Sequence, residues 1–233
     1  ADNVFTKSLS NTMYMVFIGI SICTVIAITL SVILNNRKLK GLSFFRVVFF
    51  LPTLVPVVIV CILWIWILQP QTGVLNTLLG YLGIHGPGWI ASPTWAKPSF
   101  VLMMIWNQGG AIILYLAGLQ DISETLYESA SIDGANFFQK TTKITIPMLT
   151  PVILFNVCTA IIHVFQWFVE PMIITAGGPD SATMFYSFYL YQNAFNYFKM
   201  GYASAMAWIL LLIALALIMV LFRLTRRYQS ITE

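Results

Sequence analysis

Residues 13–34 read MYMVFIGISICTVIAITLSVIL, an apolar run without one Asp, Glu, Lys or Arg. A helix needs roughly 20 apolar residues to cross a hydrocarbon core about 30 Å thick, and this run is long enough. In hydrocarbon the backbone has no water to bond, so the run must be helical. Four more stretches meet the same test going outward: Val47–Leu68, Ser99–Leu119, Met148–Thr175 (one acid, Glu170) and Ala203–Phe222. The expected fold class is therefore all-α, a polytopic helical membrane protein with five spans in one domain over residues 1–233. Burying five such runs in a soluble bundle would leave almost no polar face. Composition agrees: 59% of residues are hydrophobic and 9% charged, and mean hydropathy is +0.84, whereas a soluble domain carries roughly a quarter charged residues.

Basic residues orient the spans. Arg37, Lys38, Lys40 and Arg46 lie between the first two, Lys140 and Lys143 between the third and fourth, and Arg223, Arg226 and Arg227 after the fifth. Placing these segments in the cytoplasm leaves only Lys7, Lys97 and Lys199 outside. It puts the N-terminus outside and the C-terminus inside. Outer segments 69–98 and 176–201 carry Pro, Gly and aromatic punctuation that suits interfacial loops. Pro52 and Pro56 interrupt the second span, either as a kink lining a pathway or as a packed kink. Cys23, Cys61 and Cys158 sit in apolar stretches without metal-ligand spacing, and read as small buried hydrophobes.

The segment 120–147 is too long and too patterned for a connector. Ser123 can cap a helix with Glu124 in its first turn. Gly134 can end it, and Asn136 with Gln139 forms a capping-box pattern for a second short helix. Thr145-Ile146-Pro147 is expected to break the chain before the fourth span, with Leu126, Ala130, Phe137 and Phe138 available for packing.

Glu128-Ser129-Ala130, Asp133-Gly134-Ala135 and Ile144-Thr145-Ile146-Pro147 resemble the "EAA" loop of binding-protein-dependent ABC permeases in sequence and spacing. Ser129 and Ile146 depart mildly from the pattern. Ser43–Arg46, Phe50-Leu51-Pro52, Trp89, Thr175–Pro179 and Gly201–Ala205 look like sugar-class permeases of the maltose and glycerol-phosphate type. The resemblance covers about Asn11 to Arg227.

It implies half of a translocation pathway in a bacterial cytoplasmic membrane, shared with a second related permease. A solute-binding protein would deliver a sugar or oligosaccharide. A separate ATPase dimer, carrying ATP and Mg, would drive the cycle, so this chain would bind no cofactor. Glu128, Ser129, Ala130, Asp133, Gly134, Ile144 and Pro147 would form the coupling element that docks on the ATPase. The family has one more N-terminal span. With Ala1 at its start and no signal pattern, this sequence is expected to lack that helix.

Polar and aromatic residues within spans are candidates for solute contact: Trp106, Asn107 and Gln108, then Asn156, His163, Gln166, Trp167 and Glu170. Positional resemblance adds Thr53 and favours the stretches at 106–108 and 166–167. Bland roles stay open: Asn156 bridging helices, His163 packed, Glu170 hydrated near the outer surface. No G-x-x-x-x-G-K-[ST] loop occurs, so ATP chemistry belongs elsewhere. An ion-coupled secondary transporter would show mid-membrane charges and repeated halves, of which only Glu170 is present. An intramembrane enzyme would need a nucleophile–base set or a metal pair, and His85 and His163 share no such context.

Overall fold

The computed structural model describes residues 2–35 and 41–232, with the backbone alone for 226–232. Arg37, Lys38 and Lys40 lie outside the described residues, as do the side chains of Arg226 and Arg227. The described residues are helical and contain no strand. Three helices are long and apolar enough to cross a membrane, or five if each of two bent pairs is one span.

Helix α1 (Asn3–Leu34) starts ahead of the expected span and widens into a π turn over Met15–Gly19. The expected second span is a broken one. Helices α2 (Leu42–Leu54) and α3 (Val57–Ile67) meet at 102°. Pro52 lies in a 3-10 turn, and Pro56 takes φ −55° and ψ 137° just before α3. Two proline rings within five residues remove two amide donors and clash with preceding carbonyls, which a continuous helix cannot absorb. Pro52 is buried, so at this residue the bend is packed against protein.

After a short helix α4 (Val74–Tyr81), the third span is α5 (Pro93–Trp106) bent by 48° into α6 (Gly109–Gln120). The break falls at Asn107-Gln108, ahead of two glycines. A Cβ on Gly109 would lie 2.2 Å from the Phe49 carbonyl oxygen, so only glycine lets α6 come this close to α2. Helix α7 (Glu124–Ile132) leads to α8 (Phe137–Phe165).

Two expectations fail at the ends of α8. Pro147 does not break the chain: a π turn over Thr141–Thr145 carries the helix past it. A π turn inserts an extra residue, which relieves the steric demand of the proline ring. Nor does the fourth span reach Thr175. It ends at Phe165, because Pro171 in an unbroken helix would clash with the carbonyl of residue 167. The chain resumes as α9 (Val169–Ile174), with Pro171 in the first turn, where a missing donor costs nothing. Helices α10 (Tyr186–Tyr191) and α11 (Met200–Thr232) complete the chain.

Met15, Trp64, Phe100, Phe165, Trp167 and Phe185 belong to one buried core that joins α1, α3, α5, α8 and α10. The end at which α1 begins is tied by polar groups instead. Asp2 caps α1 through the amides of Val4 and Phe5 and accepts the hydroxyls of Tyr189 and Tyr202 at 2.7 and 2.8 Å. The tyrosine bonds, Tyr189 foremost, hold its carboxyl down at about 2. Asn11, 2% exposed, donates to the carbonyls of Ser181 and Met184. Thr12 accepts from the Tyr186 amide, and Lys97 donates to Asn11 at 3.2 Å. Lys7 donates to the Asp180 carbonyl. Two of the three basic residues expected outside thus lie together at one end.

Candidate functional site

At the other end, Leu119, Ile122 and Leu149 form a small buried cluster against which Tyr127 and Ile144 pack. It seats the root of α7 on α8. Ser123 stands at the N-cap, but its hydroxyl pairs with Thr125 and not with a helix amide. The far end of α7 closes by two bonds. The Ala135 amide donates to the Ala130 carbonyl at 2.8 Å and the Gly134 amide to the Ser131 carbonyl at 3.1 Å. This is a Schellman cap, which needs a left-handed residue, and Gly134 supplies it with φ 76°. No atom lies within 4 Å of where its Cβ would be. Backbone conformation, not crowding within this chain, is what demands glycine there.

Asn136 and Gln139 bond each other's backbone amides at 2.9 Å, the reciprocal capping box expected from sequence. The tight turn leaves large apolar groups uncovered: Ile132 is 88% exposed, and Phe137 and Phe138 are each 73% exposed. Both phenylalanines thus remain available for packing, as read from the sequence. Glu128, Ser129, Asp133 and Gly134 are exposed, while Ala130, Ile144 and Pro147 are half-buried.

The pathway candidates divide. Asn107, Trp167 and Glu170 line one cavity of about 70 Å³ together with Cys61, Met103 and His163. His163 is exposed in this chain. Trp167 is buried, stacked on Phe185 and edge-on to Phe100, each with centroids 5.4 Å apart. Its indole N–H has no hydrogen-bond partner. Thr53, Trp106, Gln108 and Gln166 do not line this cavity. Thr53 bonds the Phe50 carbonyl of its own helix and Gln108 the Met104 carbonyl of α5, Trp106 lies edge-on to Trp64, and Gln166 is exposed. Asn156 accepts the Tyr115 hydroxyl at 3.0 Å and so bridges α8 to α6. Sequence reasoning missed Cys61, whose apolar surroundings gave no signal, and Asp2, which its N-cap position could have revealed.

A multi-pass helical bundle with broken spans, a small cavity beside the breaks at Asn107 and Trp167 and an uncovered helix–turn at one end is the architecture of a membrane-spanning component that meets partners. The chain belongs to the family described as binding-protein-dependent transport system inner membrane component, which it matches over residues 24–230. It is accordingly a permease subunit of an ABC importer.

A probable ABC transporter permease protein of Bacillus subtilis (strain 168), YesP, is 41% identical over 226 residues, covering 95% of this chain and 72% of that protein. The lactose transport system permease protein LacF of Rhizobium radiobacter is 36% identical, over 93% of this chain and 74% of its own length. Among solved structures, a bacterial alginate ABC transporter in complex with an alginate pentasaccharide-bound periplasmic protein contains a similar chain. Its TM-score is 0.87 at 26% identity, over 98% of this chain and 81% of that one.

Proposed function

We propose that this permease imports a sugar or oligosaccharide, received from a solute-binding protein, in a complex with a second related permease and an ATPase dimer. The observation that carries the coupling half of this reading is the turn at Gly134. It is rigidly built by a Schellman cap and a capping box, yet it leaves Ile132, Phe137 and Phe138 uncovered. A rigid apolar knob at the polar end of a membrane protein fits a groove on a soluble partner. Glu128, Ser129, Ala130, Asp133, Gly134, Ile144 and Pro147 form or support it. ATP and Mg belong to the partner, and this chain binds no cofactor of its own. The charge bias puts this end, and the C-terminus, in the cytoplasm.

The sugar half rests on the resemblance to lactose, trehalose/maltose and arabinooligosaccharide permeases. Pockets for small molecules run to roughly 300–1,000 Å³, and the cavity at Asn107, Trp167 and Glu170 has about 70 Å³. Such a cavity is one wall of a site, with the second permease supplying the other. Thr53, Trp106, Gln108 and Gln166 would extend that wall along the broken spans.

The test is reconstitution in liposomes with the second permease, the ATPase and a sugar-loaded binding protein. ATP-dependent sugar uptake that disappears when the second permease is left out is the expected result. Uptake by this chain with the ATPase alone, or no sugar uptake by the full set, contradicts the proposal. Lys38→Cys and Asp180→Cys variants test orientation. Only position 180 should react with an impermeant thiol reagent applied outside intact cells.

A further inference from the structure

Four residues of α7 and the start of α8, Tyr127, Ser131, Lys140 and Thr145, close a hydrogen-bond ring. The Tyr127 hydroxyl meets the Thr145 hydroxyl at 2.9 Å. Thr145 in turn reaches the Lys140 carbonyl at 3.4 Å. A threonine hydroxyl carries one hydrogen; with it directed to Lys140, Tyr127 is the donor to Thr145. From the other side, the Lys140 ammonium donates to the Ser131 hydroxyl at 2.6 Å, and Ser131 donates to the Tyr127 carbonyl at 2.6 Å. The path thus runs from α7 to α8 and back again.

Position gives the ring its consequence. Thr145, 4% exposed, closes the π turn Thr141–Thr145, the irregular segment between the short helix at Phe137–Lys140 and the regular helix Ile146–Phe165. An irregular turn is where a helix bends most readily under load. Two straps span this one: Tyr127–Thr145 at its upper end and Ser131–Lys140 at its lower. Tyr127 also packs on the Leu119, Ile122 and Leu149 cluster, which fixes the ring plane whether or not its hydroxyl is bonded.

We propose that Tyr127 and Thr145 are positioning residues which lock the π turn, so that α7 and the membrane-spanning part of α8 move as one lever. The far end of that lever is His163 to Gln166, at the break beside the cavity. A push on α7 then reaches the pathway instead of being absorbed by bending at Thr141–Thr145. The inference rests on α7 being the coupling element, and its test separates the two claims.

The measurement is solute transported per ATP hydrolysed by the complete complex in liposomes. Tyr127→Phe and Thr145→Val keep the packing and delete the bond. Each should lower that ratio roughly threefold to tenfold, the scale of one neutral hydrogen bond acting on an equilibrium, with the ATPase still bound. Thr145→Ser keeps a hydroxyl and should restore the ratio. The double variant Tyr127→Phe/Thr145→Val should be no worse than the poorer single, since one bond cannot be lost twice. Wild-type ratios in both single variants overturn the proposal. So do losses that multiply in the double variant, or a Thr145→Ser complex as defective as Thr145→Val. Gly134→Val is the reference. If it uncouples while the ring variants do not, only the lever is wrong. If none of them uncouples, the reading of α7 as the coupling element falls as well.

Discussion

The two ends of the molecule treat their surface groups in opposite ways. Where α1 begins, Asp2, Asn11 and Thr12 engage partners some 170 or more residues away, and the buried polar atoms of Asn11 are bonded. At the turn of α7 the backbone is as well capped, but Ile132, Phe137 and Phe138 face outward without cover. One end is complete within the chain; the other is ordered for contact with something else. Substitutions at the first should therefore act on folding, and at the second on transport with folding intact.

The sharpest break of that comparison is Gly134→Val. A β-branched residue at φ 76° is strained wherever it sits, and the Schellman cap would be lost with it. Uptake should fall by about fivefold to thirtyfold, since roughly 1–2 kcal/mol of left-handed strain is concentrated in one contact turn. Thermal stability of the detergent-solubilised complex should hardly move, because the turn lies outside the core. A large drop in stability would erase the distinction between the ends.

Asn11→Ala is the mirror experiment. It removes the side-chain donor from the Ser181 and Met184 carbonyls and the acceptor from the Lys97 ammonium, at a cost of about 1–3 kcal/mol. The expected outcome is a lower unfolding temperature with the uptake per folded complex preserved. Unchanged stability would mean that this end is not held by its polar bonds.

Much of this fold was legible because hydrophobicity and charge act locally. Met13–Leu34 and Ala203–Phe222 are apolar all round, and a run that length has one solution in lipid. The loop was legible too: Asn136, Gln139 and Gly134 carry backbone demands that act within a few residues. What escaped depends on competition between neighbours. Pro147 and Pro171 are the same residue type, yet one is passed by a π turn and the other ends a span.

Trp167 shows the limit at the pathway. Sequence marks it as a stacking surface for sugar. Packing puts its ring in a triangle with Phe185 and with Phe100, which is more than 60 residues away in the chain. Trp167→Ala should therefore destabilise the complex as well as alter transport, whereas Gln108→Ala should alter transport alone; unfolding temperatures and uptake of the two variants check this.

A smaller effect is expected from Glu128→Ala. Glu128 is exposed, and an interfacial charge at a rim is partly solvated, so the change should weaken ATPase retention by about threefold, less than Gly134→Val. ATPase co-purified at rising salt measures it, and a loss as severe as that of Gly134→Val would place Glu128 at the centre of the contact.

The mildest test uses pH. The carboxyl of Asp2 sits at about 2 in the folded protein against an ordinary value of 3.8. A depressed folded value gives stability that is present above the unfolded value and lost as pH falls through the folded one. The end at which α1 begins should therefore weaken between about pH 4 and pH 2, and Asp2→Asn should flatten that dependence. An unaltered acid profile in Asp2→Asn would mean that the bonds of Asp2 to Tyr189 and Tyr202 do not hold this end.

The central claim is that the apolar turn of α7 is covered by the ATPase in the assembled importer. Its most direct test is an Ile132→Cys substitution in a background with Cys23, Cys61 and Cys158 replaced, cross-linked in native membranes with a short thiol-to-amine reagent. The account predicts an adduct between this chain and the ATPase, and protection of position 132 from a water-soluble thiol reagent once the ATPase is bound. Free labelling of position 132 in the assembled complex, with no adduct, would contradict it.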